Sequence, residues 1–198
     1  MIAKTRTVLL LASAWLATTL LIGPSCGFAP ALDATRAVRT LDGVVFAPFA
    51  VPPSGIRVFV FATVECPIAN AYAPKLAELH EEWRSTGVEL VVVLVDPELS
   101  ENDARAHARD YGLSMPIVLD REQRLAGSVG ATVTPEAAVY THSGLAYLGR
   151  IDDRWRARGA DGQTAEHEDL RLAVRALQAG QEIAHPRRPA VGCRLPTR

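Results

Sequence analysis

Apolar positions along the chain fall into runs with two periods. Arg57-Val-Phe-Val-Phe-Ala-Thr63 is an almost unbroken apolar and β-branched run, which predicts a fully buried strand over 56–63. Cys66-Pro67 follows at once, and then Tyr72, Leu76, Leu79 and Trp83 recur on one helical face, with Lys75, Glu78, Glu81 and Glu82 mostly off it. Pro67 suits a first helical position, where a missing N–H leaves nothing unpaired. Val88 to Val95 is a second near-continuous apolar run, as a parallel strand covered on both faces would be, and Asp96-Pro97 stops it. Ser100-Glu-Asn-Asp103 reads as a capping box for a helix carrying Ala104, His107, Ala108 and Tyr111 and ending at Gly112.

Further along, Pro116 to Leu119 predicts a short strand, and a helical turn or two follows around 121–128. Ala137 to Thr141 and Leu145 to Ile151 predict a hairpin turned by His142-Ser143-Gly144. Residues 152–163 are charged and glycine-containing and read as a loop. Thr164 is the expected N-cap of a last helix, with Leu170, Ala173, Val174 and Leu177 on one face and Gly180 closing it. Ahead of the first long strand, Asp42-Gly43 between apolar runs signals a small hairpin. The tail from Ile183 to Arg198 holds three prolines and no periodicity, and is expected to lie along the surface. Helices alternating with strands and then an antiparallel hairpin predict an α/β sandwich around a mixed central sheet.

The chain has 198 residues, 48% hydrophobic and 22% charged, with a net charge of −1. That is one domain of ordinary globular composition, with no electrostatic reason to expect a nucleic-acid partner. The N-terminus changes this picture. Lys4 and Arg6 precede an uncharged apolar run from Val8 to Ile22, broken by Gly23-Pro24-Ser25, and Ala29-Pro30-Ala31 has the small-x-small form of a cleavage site. Residues 1–31 therefore read as a secretory signal, with a retained anchor or a lipid on Cys26 as the alternatives. The domain proper spans 32–183 and the tail 184–198. Export, to a periplasmic or extracellular space, leaves Cys66 and Cys193 as the only cysteines once Cys26 is removed, a candidate disulfide pair. Any membrane contact is confined to the N-terminal segment.

A cysteine at a strand-to-helix junction sits where free N–H groups and a partial positive charge favour its thiolate, the nucleophilic form. The order of elements, that cysteine, Pro74 eight residues after it and Thr134-Pro135 ahead of the hairpin together resemble the thioredoxin-like superfamily. The resemblance implies a three-layer sandwich, a kink at Pro74, and a cis peptide at Thr134-Pro135 that presents backbone to the partner of the cysteine. Within the superfamily, Thr63-Val-Glu-Cys66 is similar to the T-x-x-C half of the AhpC/TSA (peroxiredoxin-like) pattern, with Phe59 where that pattern has proline. Cys66-Pro-Ile-Ala-Asn-Ala-Tyr-Ala-Pro-Lys-Leu, Gly149-Arg-Ile-Asp-Asp153 and Ala190-Val-Gly-Cys193 resemble a set of exported bacterial redoxin-domain proteins. Position 69 is Ala69, so the C-x-x-C dithiol of thioredoxin-type reductases is absent. Asn70 likewise departs from the C-x-x-x-C of copper-carrying Sco-like proteins.

The resemblance implies that Cys66 attacks a peroxide or a disulfide and that Cys193, 127 residues later, resolves the product. Peroxide ranks slightly ahead, with a protein or small thiol as reductant and no cofactor. Two readings of the pair stay open: a resolving cysteine, or a permanent staple in a non-catalytic thioredoxin-like binding module. Thr63 is expected to hydrogen-bond the sulfur or a peroxide oxygen. Arg150 is the candidate for the cation that peroxiredoxins use, and Thr134 and Pro135 position the substrate. Glu65 is expected to point to solvent. Asp152 and Asp153, with Asp96 and His167, fit no metal template and read as exposed loop acids, so no metal is expected. Tyr72 and Trp83 read as core, and His80 and His107 as helix-surface residues.

Overall fold

Strand β3 (Ile56–Ala62) is buried along its whole length and carries the fold. Its alternate side chains serve two cores. Val58, Val60 and Ala62 face one apolar cluster, and Phe59 and Phe61 face the other. The computed structural model describes residues 37–159 and 162–196, so the predicted export signal and Cys26 lie outside the described residues.

Parallel to β3 runs β4 (Glu89–Leu94), and beyond it β5 (Ile117–Leu119). On the other side β7 (Glu136–Thr141) lies antiparallel to β3 and forms the predicted hairpin with β8 (Gly144–Gly149). The small hairpin at Asp42-Gly43 is β1 (Val38–Arg39) with β2 (Val45–Phe46). One cluster packs β3 against α1 (Pro67–Ala71), α2 (Ala73–Arg84), α3 (Glu101–Asp110) and α5 (Asp169–Gln178). The second holds α4 (Arg124–Val129), with Val38 and Phe46 of the hairpin packed against it. Helices therefore cover both faces of a mixed sheet, the predicted three layers. Tyr72, Leu76, Leu79 and Trp83 are all buried, as their spacing requires.

The active-site helix is broken at Tyr72. Pro74 has no N–H to return to Asn70, and the chain resumes with Leu76 N–H bonding Tyr72 O at 2.9 Å. The capping box is present: Ser100 Oγ accepts from Asp103 N–H at 3.1 Å.

Three expectations are corrected. The last helix begins at Asp169, after Thr164, because Asp153 Oδ1 takes the N–H groups of Glu166 (2.8 Å) and His167 (2.9 Å) and holds them out of helical pairing. Asp152 and Asp153 are buried rather than exposed, since each carboxylate finds donors inside the fold. The tail does more than lie on the surface. Its β9 (Arg187–Arg188) extends the sheet beside β8, and its β10 (Cys193–Arg194) pairs antiparallel with β6 (Val133–Thr134). The six-stranded order is β5-β4-β3-β7-β8-β9.

Candidate active site

Cys66 follows the end of β3 and is itself the N-cap of α1. Its backbone is extended (φ −81°, ψ 110°), and its sulfur accepts the Ala69 N–H at 3.5 Å. The peptide bond Thr134-Pro135 is cis, as the resemblance implied. Protonated, the Cys66 thiol donates to Thr134 O at 3.1 Å. The Thr134 hydroxyl also bonds the sulfur, and it lies 3.2 Å from Thr63 Oγ1. Thr63 thus acts on the sulfur through Thr134, in a buried two-hydroxyl chain, instead of touching it directly.

Cys193 completes the arrangement. Antiparallel pairing sets it opposite Thr134, the residue whose carbonyl accepts the Cys66 thiol, and both its thiol and its N–H favour the charged form of the Cys66 sulfur. Both cysteines are free thiols here. Burial is the largest influence on Cys66 and raises its pKa. It is outweighed by the Cys193 thiol, the Ala69 and Cys193 N–H groups and the Thr134 hydroxyl, so the net shift is downward. Cys193 moves the other way, pushed up to about 11 by its hydrogen bond to Cys66, then by burial and the Cys66 charge, with Arg158 pulling it down. Of the two thiols, Cys66 is therefore the one that ionises first, and Cys193 keeps its proton longer.

Arg150 is not at the thiol. Its Nε donates to Asp169 Oδ2 at 2.6 Å, at the start of α5. Glu65 is exposed, as expected, and His107 is half-buried, bonding Asn70 Oδ1 at 2.9 Å. Asn70 in turn donates to Val64 O at 2.8 Å and so braces the turn that leads into Cys66.

Sequence reasoning missed three contributors. Tyr72 OH donates to the fully buried Asp152 at 2.6 Å, and Arg154 clamps the same carboxylate while lying over the Tyr72 ring at 4.7 Å. This cluster fixes the kink of the active-site helix to the loop that carries Arg158. Burial and the Asp152 bond push the Tyr72 hydroxyl far above the usual range. Gly192 is the third, pressed against Thr134. Only the adjacency of Gly192 to Cys193 hinted at it. Asp96, half-buried, accepts the Val64 N–H at 3.2 Å, apart from Asp152. Asp153, Glu166 and His167 bring ligand atoms within 4.8 Å of one another, but Asp153 Oδ1 is already engaged by two backbone N–H groups.

A mixed six-stranded sheet with flanking helices and a cysteine capping the helix after its central strand define the thioredoxin-like class. The chain is a thioredoxin-like redoxin-domain protein, and residues 50–147 match the model of the AhpC/TSA family. It is similar to a hypothetical protein of Sinorhizobium meliloti, at 26% identity and a TM-score of 0.68 over 81% of this chain and 89% of that one. An uncharacterized conserved protein of Geobacillus kaustophilus shares the fold at 24% identity and a TM-score of 0.71, covering 82% and 88%. So does a secreted Mycobacterium tuberculosis disulfide oxidoreductase homologous to E. coli DsbE, at 18% identity and a TM-score of 0.52, covering 73% and 96%. No curated protein sequence matches the chain.

Proposed function

We propose that the protein is an exported thiol-dependent oxidoreductase whose working unit is the Cys66–Cys193 pair. One observation carries this reading: β10 pairs with β6 so that Cys193 stands opposite Thr134, whose carbonyl accepts the Cys66 thiol at 3.1 Å, and the interaction of the two cysteines lowers the pKa of Cys66 while raising that of Cys193. The AhpC/TSA match and the thioredoxin-like fold support a thiol-redox role, and the secreted M. tuberculosis relative supports export.

The chemistry follows from that order of ionisation. With a disulfide substrate, the Cys66 thiolate attacks one sulfur, forms a mixed disulfide and expels a thiolate. With a peroxide, it takes one oxygen, becoming a sulfenic acid as the O–O bond breaks and an alcohol or water leaves. In either product Cys66 is no longer a thiolate, and both the hydrogen bond to it, the largest influence on the Cys193 proton, and its charge are weakened or gone. Cys193 can then ionise, assisted by Arg158, and attack the Cys66 sulfur. The second thiolate or a water departs, and the two cysteines end as a disulfide, oxidised by two electrons while the substrate is reduced by two. An external thiol restores the pair.

Disulfide exchange is the stronger of the two. Asp169 takes Arg150, the cation expected for peroxide activation, and the groups acting on Cys66 are hydrogen-bond donors from Ala69, Thr134 and Cys193. Cys66 is also 1% exposed under the tail, so the strap must lift for a substrate sulfur to approach in line.

The test is single-turnover oxidation of the reduced chain by a small disulfide and, separately, by hydrogen peroxide, with free thiols counted over time. Loss of two thiols per chain, faster with the disulfide and absent in Cys66→Ser, is the expected result. A pair that is oxidised on isolation and resists mild reductant in the folded protein would instead favour the binding module with a structural staple.

A further inference from the structure

Gly192 stands immediately before Cys193, where the tail crosses Thr134. A Cβ built at Gly192 would lie 2.0 Å from Thr134 O, 2.6 Å from its carbonyl carbon and 3.1 Å from Pro135 N. The obstructing atoms are backbone atoms of a fully buried residue, which cannot swing aside as a side chain would. Gly192 is not among the glycines with positive φ, so its backbone conformation is open to other residues and space alone excludes a side chain.

Nor can the tail slide away to make room. Upstream it is held by β9, where Gly149 and Arg188 meet so closely that a Cβ on Gly149 would fall 2.1 Å from Arg188 O. Downstream, Leu195 N–H donates to Thr132 O at 3.1 Å and Gln123 Nε2 donates to Pro196 O at 2.8 Å. Val191 and Cys193 pack on one apolar cluster and Leu195 on the other, so the strap is tied on both sides of the crossing. A side chain at 192 has to be accommodated at the crossing itself, by lifting the segment that carries Cys193.

We propose that Gly192 is a positioning residue of the thiol pair: its bare Cα lets the tail lie directly on the Thr134 carbonyl, which brings both the thiol and the N–H of Cys193 to the Cys66 sulfur. The proposal rests on the two-cysteine reading above and adds the residue that makes its second step possible. Without Gly192, Cys66 keeps Ala69 and Thr134 as donors but loses both donors from Cys193. The first step survives and the second fails. Product then accumulates as the mixed disulfide of Cys66 with the substrate thiol, because no neighbouring sulfur is placed to displace that thiol.

The test uses the full chain and its Gly192→Ala and Gly192→Val variants, each mixed with a small aromatic disulfide and quenched for mass spectrometry. In the native chain the mixed disulfide is transient and the Cys66–Cys193 disulfide forms. In Gly192→Ala its formation slows on the order of tenfold to a hundredfold, as for an angstrom-scale misplacement of reacting atoms, and in Gly192→Val further. Alkylation of Cys66 across pH adds a readout that a purely structural role would not move. Its midpoint shifts upward in the variants as the Cys193 donors withdraw, while its plateau rate rises because the sulfur is uncovered. Equal rates of disulfide formation in native chain and Gly192→Ala would overturn the proposal and leave the two-cysteine reading intact. Absence of that disulfide in the native chain would overturn both. Loss of the fold in both variants, seen as a vanished urea transition, would assign Gly192 a structural role and also overturn the proposal.

Discussion

The two cysteines of this protein meet at Thr134, yet they belong to differently built regions. Cys66 sits at the junction of β3 and α1, where a buried strand, a capped helix and the Thr63–Thr134 hydroxyl chain fix it from several sides. Cys193 sits on a strap without an apolar period, held by short backbone pairings at β9 and β10 and by the close approach of Gly192. On the proposed reading, the junction carries the sulfur that ionises first and the strap delivers its partner. A redox site so proposed lacks a second cysteine in its own helix turn and is completed by a segment far away in sequence, so each half can be broken without the other.

The largest expected effect separates the halves outright. Cys66→Ser should abolish oxidation of the chain by a small disulfide, by at least about a thousandfold in rate. Cys193→Ser should retain the first step and stop at the mixed disulfide, visible as a mass increment on Cys66. Equal loss in both variants would erase the distinction between junction and strap.

Next in size is the buried carboxylate that ties the helix kink to the loop beyond β8. Asp152→Ala leaves the Tyr72 hydroxyl unpaired and the Arg154 guanidinium facing the gap. Urea unfolding should show a loss of about 3 kcal/mol, as expected when one member of a buried ion pair is removed. Tyr72→Phe, which leaves the carboxylate with Arg154, should cost about 1–2 kcal/mol.

The pH dependence contrasts the two sulfurs directly. Ultraviolet thiolate absorbance should show Cys66 ionising below the ordinary thiol range and Cys193 near about 11. The linked stabilities have opposite signs. Cys66, with its folded pKa lowered, stabilises the fold at pH values above the ordinary thiol range, and that contribution is lost as pH falls through its folded value. Cys193, with its folded pKa raised, contributes fully below the ordinary thiol range and loses its contribution as pH rises through about 11. Two coincident titrations near the ordinary value would show that the sulfurs do not share a proton.

Smallest is Thr63→Val, which removes a hydroxyl from the buried chain and leaves Thr134 to bond the sulfur alone. A stability loss of about 1 kcal/mol is expected, with the Cys66 alkylation midpoint moved upward. A midpoint that stays put would mean that Thr63 supports the strand end only.

The junction was legible in the sequence because its signals are local. An apolar run, Cys66-Pro67 and the Tyr72, Leu76, Leu79, Trp83 stripe each report on residues within a few turns of one another, and Thr134-Pro135 marked the facing loop. The tail lacked such signals. Its pairings with β8 and β6 depend on long-range placement and on glycines at close approaches, which hydrophobic periodicity does not encode. Asp152 and Asp153 looked like solvent-facing acids because nothing adjacent announces that Tyr72, Arg154 and the backbone at 166–167 will supply their donors. Arg150 matched a motif by neighbourhood, but its hairpin position turns it toward Asp169.

The most direct test of the account is a redox titration of the full chain, with mass spectrometry of the folded protein equilibrated across a series of thiol-to-disulfide ratios. The account predicts one reversible two-electron transition in which the Cys66–Cys193 disulfide forms and is reduced again, with the urea transition retained at both ends. A disulfide that no ratio reduces without unfolding, or a Cys66 that stays a free thiol throughout, would contradict it.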